Sequence, residues 1–153
     1  MIGTPVDYLF IGDSPSASDT ITRHPFTGTT GKLLEELLRE AKVPSWGLTH
    51  IISCFPCKDR SKTTPRTPLV AEVESCRSRL DEIVEVVEAR RYIALGKTAK
   101  KNPPPGVTYH LELDHPQYIS RRGGIKSITF KRNKHKLAKF INEEEAKKEK
   151  AEA

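Results

Sequence analysis

Residues that can take part in chemistry cluster in the loops of this 153-residue chain. The clearest is Phe26, which stands between His24-Pro25 and the run TGTTG, where the sequence offers it no core to join. A phenyl ring in such a loop can stack on a planar ligand, and nucleobases stack well on aromatic side chains. Phe26 is therefore predicted to be a stacking platform for a nucleobase. The alternative is that it packs beneath its own loop.

Three further polar loops follow predicted strands. GDSPSASD begins at Gly12, SCFPC begins at Ser53, and DHPQY begins at Asp114. In an open sheet of parallel strands, ligands bind in the crevice outside the carboxyl ends of the strands. These three loops are expected to converge on one such crevice.

The elements that must position these loops follow from the spacing of apolar residues. Short apolar runs predict strands at 6–12, 48–53, 91–95 and 107–113. Apolar positions three and four residues apart predict helices over 30–43 and 69–89, and GKTAKK predicts a short one. Thr29 or Thr30 is expected to cap the first helix. The alternation predicts an α/β fold, a three-layer α/β/α arrangement with a central, mostly parallel four-stranded sheet.

The last helix is expected to be amphipathic and then to fray. Its apolar positions are Ile128, Phe130, Leu137, Phe140 and Ile141. Beyond them a Glu/Lys tail has no apolar face. We therefore expect one domain over residues 1–130, followed by a C-terminal helix over 131–153 that frays into a charged tail.

The charge of the chain allows a polyanionic partner. A formal charge of +6 and a pI near 9.3 favour binding to nucleic acid, although a solvated basic tail explains them equally well. The sequence has neither the pattern of a signal peptide nor an apolar run of about 20 residues that could cross a membrane. We expect a soluble, cytoplasmic protein that is a monomer.

The order of the motifs resembles that of the uracil-DNA glycosylase superfamily, and most of all its family 4. The motifs are GDSP, HPFTGTTGKLL, THIISCFPCK, TPRTP, ESC, YIALGKTA and DHPQ, which span residues 6 to about 120. The resemblance implies DNA as the partner and a position close to the nucleoid. It also implies an enzyme that flips a nucleotide out of DNA and hydrolyses the N-glycosidic bond of uracil or a related pyrimidine, which leaves an abasic site.

The resemblance assigns two catalytic residues. His115 matches a histidine that donates to the charge developing on uracil O2, and Asp13 stands where the family has a glutamate that orients water or stabilises the cationic sugar. Each has a simpler reading. His115 can cap a loop, and Asp13 can close a strand-to-loop turn.

Four residues are implied to bind the base: Gly12, Ser14, Phe26 and His50. His50 takes the place of the family asparagine that reads the Watson–Crick edge. An amide presents a donor and an acceptor side by side, whereas an imidazole edge offers one group at a time. His50 is expected to read uracil weakly, to read another base, or to be a structural histidine at a strand end.

The segment after His115 matches the family loop that enters the minor groove. Its candidate DNA contacts are Tyr118, Ile119, Arg121 and Arg122. An apolar wedge can fill the gap left by the flipped base while arginines hold flanking phosphates. The alternative is that they are exposed loop residues with no role in binding DNA.

The resemblance to family 4 would imply an iron–sulfur cluster, but the chain offers only Cys54, Cys57 and Cys76 as ligands, so no cofactor is expected. Such clusters normally take four cysteine ligands, and this sequence has three. A zinc site and simple reduced thiols are the alternatives.

Three functions stay open at this point. The first is a uracil-DNA glycosylase of the family 4 type. The others are a catalytically inactive DNA-binding protein of the same fold and a glycosylase for a different modified pyrimidine.

Overall fold

A computed structural model describes residues 6–13, 28–51 and 69–152, and the account of the structure concerns these ranges. Within them the chain forms a four-stranded sheet. The strands are β1 (Tyr8–Gly12), β2 (Trp46–His50), β3 (Arg91–Leu95) and β4 (Leu111–Leu113). All pairings are parallel and the spatial order is β2-β1-β3-β4. All four carboxyl ends therefore lie at one edge of the sheet.

Helices connect the strands and cover both faces. In the described ranges they are α1 (Thr29–Glu40), α2 (Val70–Val87), α3 (Lys97–Lys101), α4 (Pro116–Arg121), a 3₁₀ turn (Gly124–Lys126) and α5 (Ile128–Glu152). None of them combines the length and the apolar character that a membrane-spanning helix requires.

The core has two parts because successive side chains of a strand point to opposite faces of the sheet. Tyr8 and Phe10 of β1 pack with the apolar faces of α1 and α5, whereas Leu9 and Ile11 pack with α2 and α3. Helices on both faces of a parallel sheet confirm the predicted three-layer α/β/α architecture.

Several element bounds differ from those expected. β2 ends at His50, where its pairing with Gly12 of β1 ends, whereas the sequence predicted a strand over 48–53. β4 has only three residues, and the expected DHPQY loop contains the start of α4, with Pro116 in its first turn. Proline suits that position because the first turn leaves its N–H groups unbonded.

The cap of α1 also differs. The N-cap is Gly28, which has no side chain to make a capping hydrogen bond and whose carbonyl accepts from the N–H of Lys32 at 3.1 Å. Thr29 and Thr30 already lie within the helix, so the expectation that either one caps it is wrong.

The C-terminal helix does not fray where the apolar residues end. Phe130, Leu137 and Ile141 are buried in the core, and the same face continues to Glu144, which is 7% exposed. Ile128, which was expected on this face, is 74% exposed instead. The helix continues to Glu152 because charged groups replace apolar ones on its inner face.

These charged groups attach the tail to the amino ends of β1 and β3. The carboxylate of Glu144 accepts from Arg91 Nε at 2.7 Å and lies 3.4 Å from Arg90. The next residue, Glu145, accepts from the Tyr8 hydroxyl at 2.7 Å, and one turn further Lys148 donates to Asp7 at 2.9 Å. A segment rich in Glu and Lys does not by itself indicate these long-range partners.

The position of Glu144 predicts acid-sensitive stability. Burial by itself raises the pKa of this carboxyl, but Arg91 and Lys147 outweigh burial, so the pKa lies below its ordinary value. A lowered carboxyl pKa contributes stability above the pKa of the unfolded chain, and this stability is lost as the pH falls through the lower folded value. Glu144→Gln is expected to reduce the free energy of unfolding by about 1–2 kcal/mol at neutral pH, between the values for exposed and buried pairs.

Urea unfolding of the wild type and the variant at pH 7 and at pH 3 measures this effect. The difference between them should shrink as the pH falls through the lowered pKa of Glu144. Glu143→Gln is the matched control, because Glu143 is an exposed neighbour on the same helix. Equal losses in the two variants would contradict a specific role for Glu144.

Candidate active site

The order of the strands creates a crevice beside β1. The chain leaves β1 for β2 on one side, and β3 then pairs with the other side of β1. In α/β sheets such a reversal leaves a crevice at the carboxyl ends, where ligands bind. Asp13 follows β1 at this edge, Gly96 follows β3, and His115 comes two residues after β4.

Asp13 links the ends of two strands across this crevice. Its carboxylate accepts a hydrogen bond from the backbone N–H of Ala99, in α3, at 3.2 Å. Burial raises the pKa of the Asp13 carboxyl above its ordinary value. The electrostatic interaction with His115 and the hydrogen bonds from Ala99 and Thr98 offset only part of this rise. Asp13 therefore does more than close a local turn, because its partners come from other elements of the fold.

His115 is the N-cap of α4. Its Nδ1 accepts from the backbone N–H of Gln117 at 3.0 Å, so Nδ1 carries no proton and a neutral imidazole has its proton on Nε2. Burial lowers the pKa of His115, the charge of Asp13 opposes that effect, and Arg121 adds to it. The result is a neutral imidazole whose Nε2–H can donate to a ligand. The capping role and the role of donor use different nitrogens and are compatible.

Asn133 holds the residue before His115. This side chain of α5 is buried; its Oδ1 accepts from the backbone N–H of Asp114 and its Nδ2 donates to the Asp114 carboxylate, both at 2.9 Å. The two bonds fix the backbone at the end of β4, and this positions the Cα atom of His115, the next residue. No local sequence pattern indicates this role, because Asn133 lies 19 residues from its partner.

Gly96 allows the imidazole to lie against the end of β3. A Cβ atom at this position would be 2.9 Å from the Cβ of His115, and the backbone has φ +95° and ψ 170°. This conformation is essentially restricted to glycine. Gly96 belongs to the YIALGKTA motif, but its packing against His115 was not anticipated.

His50 and Gly12 lie side by side at the same edge, as paired residues of β2 and β1. His50 is 6% exposed, and its backbone carbonyl accepts from the Arg79 guanidinium of α2 at 3.3 Å. The structure thus brings Gly12, Asp13, His50 and His115 to one edge of the sheet. Ser14 and Phe26 lie outside the described residues.

The four residues predicted to contact DNA separate into two groups. Tyr118 and Arg121 of α4 and its C-cap residue Arg122 are exposed, and the Arg122 guanidinium lies 5.1 Å from the centre of the Tyr118 ring. Ile119 is 0% exposed and packs in the core between α1 and the sheet. This corrects the expectation that Ile119 contacts DNA, because the helix turns its side chain to the opposite side from its three neighbours. Ile125, in the 3₁₀ turn, is an exposed apolar residue that was not anticipated.

The described residues do not test the fit of an iron–sulfur cluster. Cys76 is half-buried on α2, whereas Cys54 and Cys57 lie outside the described residues. In the described ranges no three His, Cys, Asp or Glu side chains are grouped so as to hold a metal ion. The chain as a whole has three cysteines, one fewer than the usual ligand set of a cluster.

The contact between Gly96 and His115 yields a prediction. Gly96→Ala is expected to lower the free energy of unfolding by about 2–4 kcal/mol, since it adds backbone strain and overpacking against the imidazole. It should also change the NMR resonances of the His115 ring. Urea unfolding and imidazole ¹H–¹⁵N spectra measure the two effects.

Gly106→Ala is the matched control. Gly106 also has a positive φ, +78°, but no atom lies within 4 Å of the added methyl group. This variant should show the cost of strain, about 1 kcal/mol, with unchanged His115 resonances. The same ring shifts in both variants would contradict a direct contact at Gly96.

Comparison with known proteins identifies the family of the chain. The sequence profile of the Uracil DNA glycosylase superfamily matches residues 3–142. A Type-4 uracil-DNA glycosylase of Pyrobaculum aerophilum is 33% identical over 95 residues, which cover 61% of this chain and 45% of that protein. One from Thermotoga maritima is 31% identical over 93 residues, which cover 60% of this chain and 45% of that protein. The aligned part spans about half the length of these curated relatives. Because the family profile covers nearly the whole sequence, the chain belongs to the uracil-DNA glycosylase superfamily.

Proposed function

We propose that the chain is a DNA glycosylase that hydrolyses the N-glycosidic bond of uracil, or of a related pyrimidine, in a nucleotide flipped out of DNA. The observation that carries the proposal is that Asp13 and His115 both follow strand ends at the carboxyl edge of the sheet, where Asp13 accepts from the backbone N–H of Ala99 and His115 uses Nδ1 to cap α4, which leaves Nε2 as a donor. The names of the relatives, all Type-4 uracil-DNA glycosylases, support the same activity.

The reaction places opposite charges on the two products as the bond breaks. The electron pair of the C1′–N1 bond leaves with the base, so negative charge develops on its oxygens while the sugar becomes an oxocarbenium-like cation. A donor aimed at the base and a carboxylate near the sugar each stabilise the transition state more than the ground state. Water then adds its hydroxyl to C1′, and its proton balances the departing base.

His115 and Asp13 fit these two tasks. The Nε2–H of His115 is the donor for the base oxygen, and its lowered pKa keeps the imidazole neutral near pH 7. Asp13 stabilises the cationic sugar or orients the attacking water, both of which require the ionised carboxylate. Since Asp13 must be charged and His115 neutral, activity should decline on the acid side as either group takes up a proton.

The base is proposed to bind beside β1 and β2. His50 and Gly12 line this edge. The motifs add Phe26 and Ser14 to the proposal, and both lie outside the described residues. An imidazole presents one hydrogen-bonding group to the base where an amide presents two. The proposal therefore includes pyrimidines related to uracil.

The experiment that tests the function uses labelled single- and double-stranded oligonucleotides that carry one uracil. Hot alkali after incubation cuts any abasic site. The wild type should give strand scission, and His115→Asn should reduce kcat by about 10²–10³, the usual cost of losing one such donor. Asparagine is a good N-cap, so this variant keeps α4 capped while the imidazole is removed.

The control for that variant is His135→Asn, the same substitution at an exposed position of α5. It should cleave as the wild type does. If the wild type binds the DNA in a gel shift without scission, uracil excision is excluded, and the same assay over a panel of modified pyrimidines separates another glycosylase from an inactive binding protein.

The exposed face of α4 is proposed to hold the DNA backbone beside the site. Tyr118, Arg121 and Arg122 follow His115 directly, so a flipped nucleotide at His115 would bring flanking phosphates to this face. Arginines suit that role because they bind phosphate oxygens with two donors at once.

Arg122→Gln is expected to weaken DNA binding and to reduce the slope of log K against log salt by about 1, the value for one lost phosphate contact. Fluorescence anisotropy over a series of salt concentrations measures the slope. Lys150→Gln is the control, because Lys150 is exposed in the last turn of α5, beyond the turn that packs against the amino ends of the strands. Equal slopes for Arg122→Gln and the wild type would remove Arg122 from the DNA surface.

A further inference from the structure

Tyr109 has a buried hydroxyl group that takes no part in the proposed reaction. Its hydroxyl oxygen is inaccessible to solvent and has no hydrogen-bond partner among the described residues. The ring packs against the core on the α2 and α3 side of the sheet, a cluster that includes Ile11 and Ala99. A buried hydroxyl without a partner costs free energy, and packing alone would be served as well by phenylalanine.

Tyr109 and the Asp13 carboxylate share a neighbour in Ala99. Ala99 connects the two groups, since its side chain belongs to the cluster beneath Tyr109 and its backbone N–H binds Asp13 at 3.2 Å. Burial raises the pKa of Tyr109, and the negative charge of Asp13 adds to that rise. The phenol therefore keeps its proton at any working pH and is a donor, whereas an ionised Asp13 is an acceptor.

We infer that Tyr109 is a positioning residue for Asp13, and that its hydroxyl and the carboxylate share one buried water. The hydroxyl donates to the water, and the water donates to the carboxylate. A buried water needs two to four polar partners, and the Thr98 hydroxyl, which hydrogen-bonds to Asp13, is a third polar group beside them. The catalytic consequence of this inference rests on the proposed function. The water-mediated link between Tyr109 and Asp13 does not.

The consequence is a carboxylate that stays ionised in a buried place. Asp13 faces His115 from the start of α4, Ala99 and Thr98 from α3, and Tyr109 from the segment before β4. Arg121 acts on His115 from the next turn of α4. Burial opposes the charge of Asp13, so each donor directed at it matters. Tyr109 adds a donor from the core side, opposite to the crevice in which the sugar would bind.

The test compares wild type with Tyr109→Phe, which removes one oxygen atom. The carboxyl ¹³C resonance of Asp13, followed by NMR as a function of pH, reports its pKa directly. Loss of the donor should raise the pKa of Asp13 by about one unit, which is a tenfold change in proton affinity. Because activity needs the ionised carboxylate, the acid limb of the pH profile for uracil release should move to higher pH by the same amount, with kcat affected and KM unchanged.

Tyr92→Phe is the matched control. Tyr92 is another half-buried tyrosine, and burial raises its pKa without a contribution from Asp13. This variant should leave the Asp13 titration where it is in the wild type. Melting curves of both variants verify that each is folded.

The outcomes separate this inference from the proposed function. A wild-type Asp13 titration in folded Tyr109→Phe, or an equal shift in Tyr92→Phe, would overturn the inference whatever the enzyme does. A shift specific to Tyr109→Phe in a protein that releases no uracil would support the contact and refute the function.

Discussion

β1 is hydrogen-bonded to β2 on one side and to β3 on the other, and this double parallel pairing determines where everything else lies. All five residues of β1 pair with β2, and four of them pair with β3. Parallel strands end at the same edge, so the residues that follow β1, β3 and β4 meet although they are up to about a hundred positions apart in the sequence. In the described ranges the helices cover both faces of the sheet, and the candidate site lies at this edge.

The chemistry of the site depends on burial, which shifts the pKa values of Asp13 and His115 in opposite directions. A low-dielectric environment disfavours charge, so it raises the pKa of Asp13 and lowers that of His115. The surroundings of the two residues differ. His115 stays neutral and gives its Nδ1 to the cap of α4, which orients the ring. Asp13 receives donors from α3 that offset part of the cost of its charge.

A second polar network lies at the opposite edge of the sheet. There Glu144 and Glu145 attach the end of α5 to β1 and β3 through Arg90, Arg91 and Tyr8. The network lies among partly exposed side chains, so it costs less desolvation than a fully buried ion pair would. It extends the inner face of α5 beyond its last apolar residue, while the first half of the same helix holds the site through Asn133. One helix thus connects both edges of the sheet.

Apolar patterns in the sequence were sufficient to predict the α/β class, the four strands and the principal helices, because strands buried on both faces read as short apolar runs and burial of one helix face imposes a period of about 3.6. Motif order was sufficient to place Gly12, Asp13, His50 and His115 together, since each follows or ends a strand. Local patterns could not reveal contacts between distant segments. Only the tertiary structure decided that Gly96 and Asn133 position His115, that Ile119 belongs to the core, and that a Glu/Lys tail continues as an anchored helix. Each of these depends on which side chain a neighbouring element brings within a few ångströms, and that is a property of the packed chain and of no segment by itself.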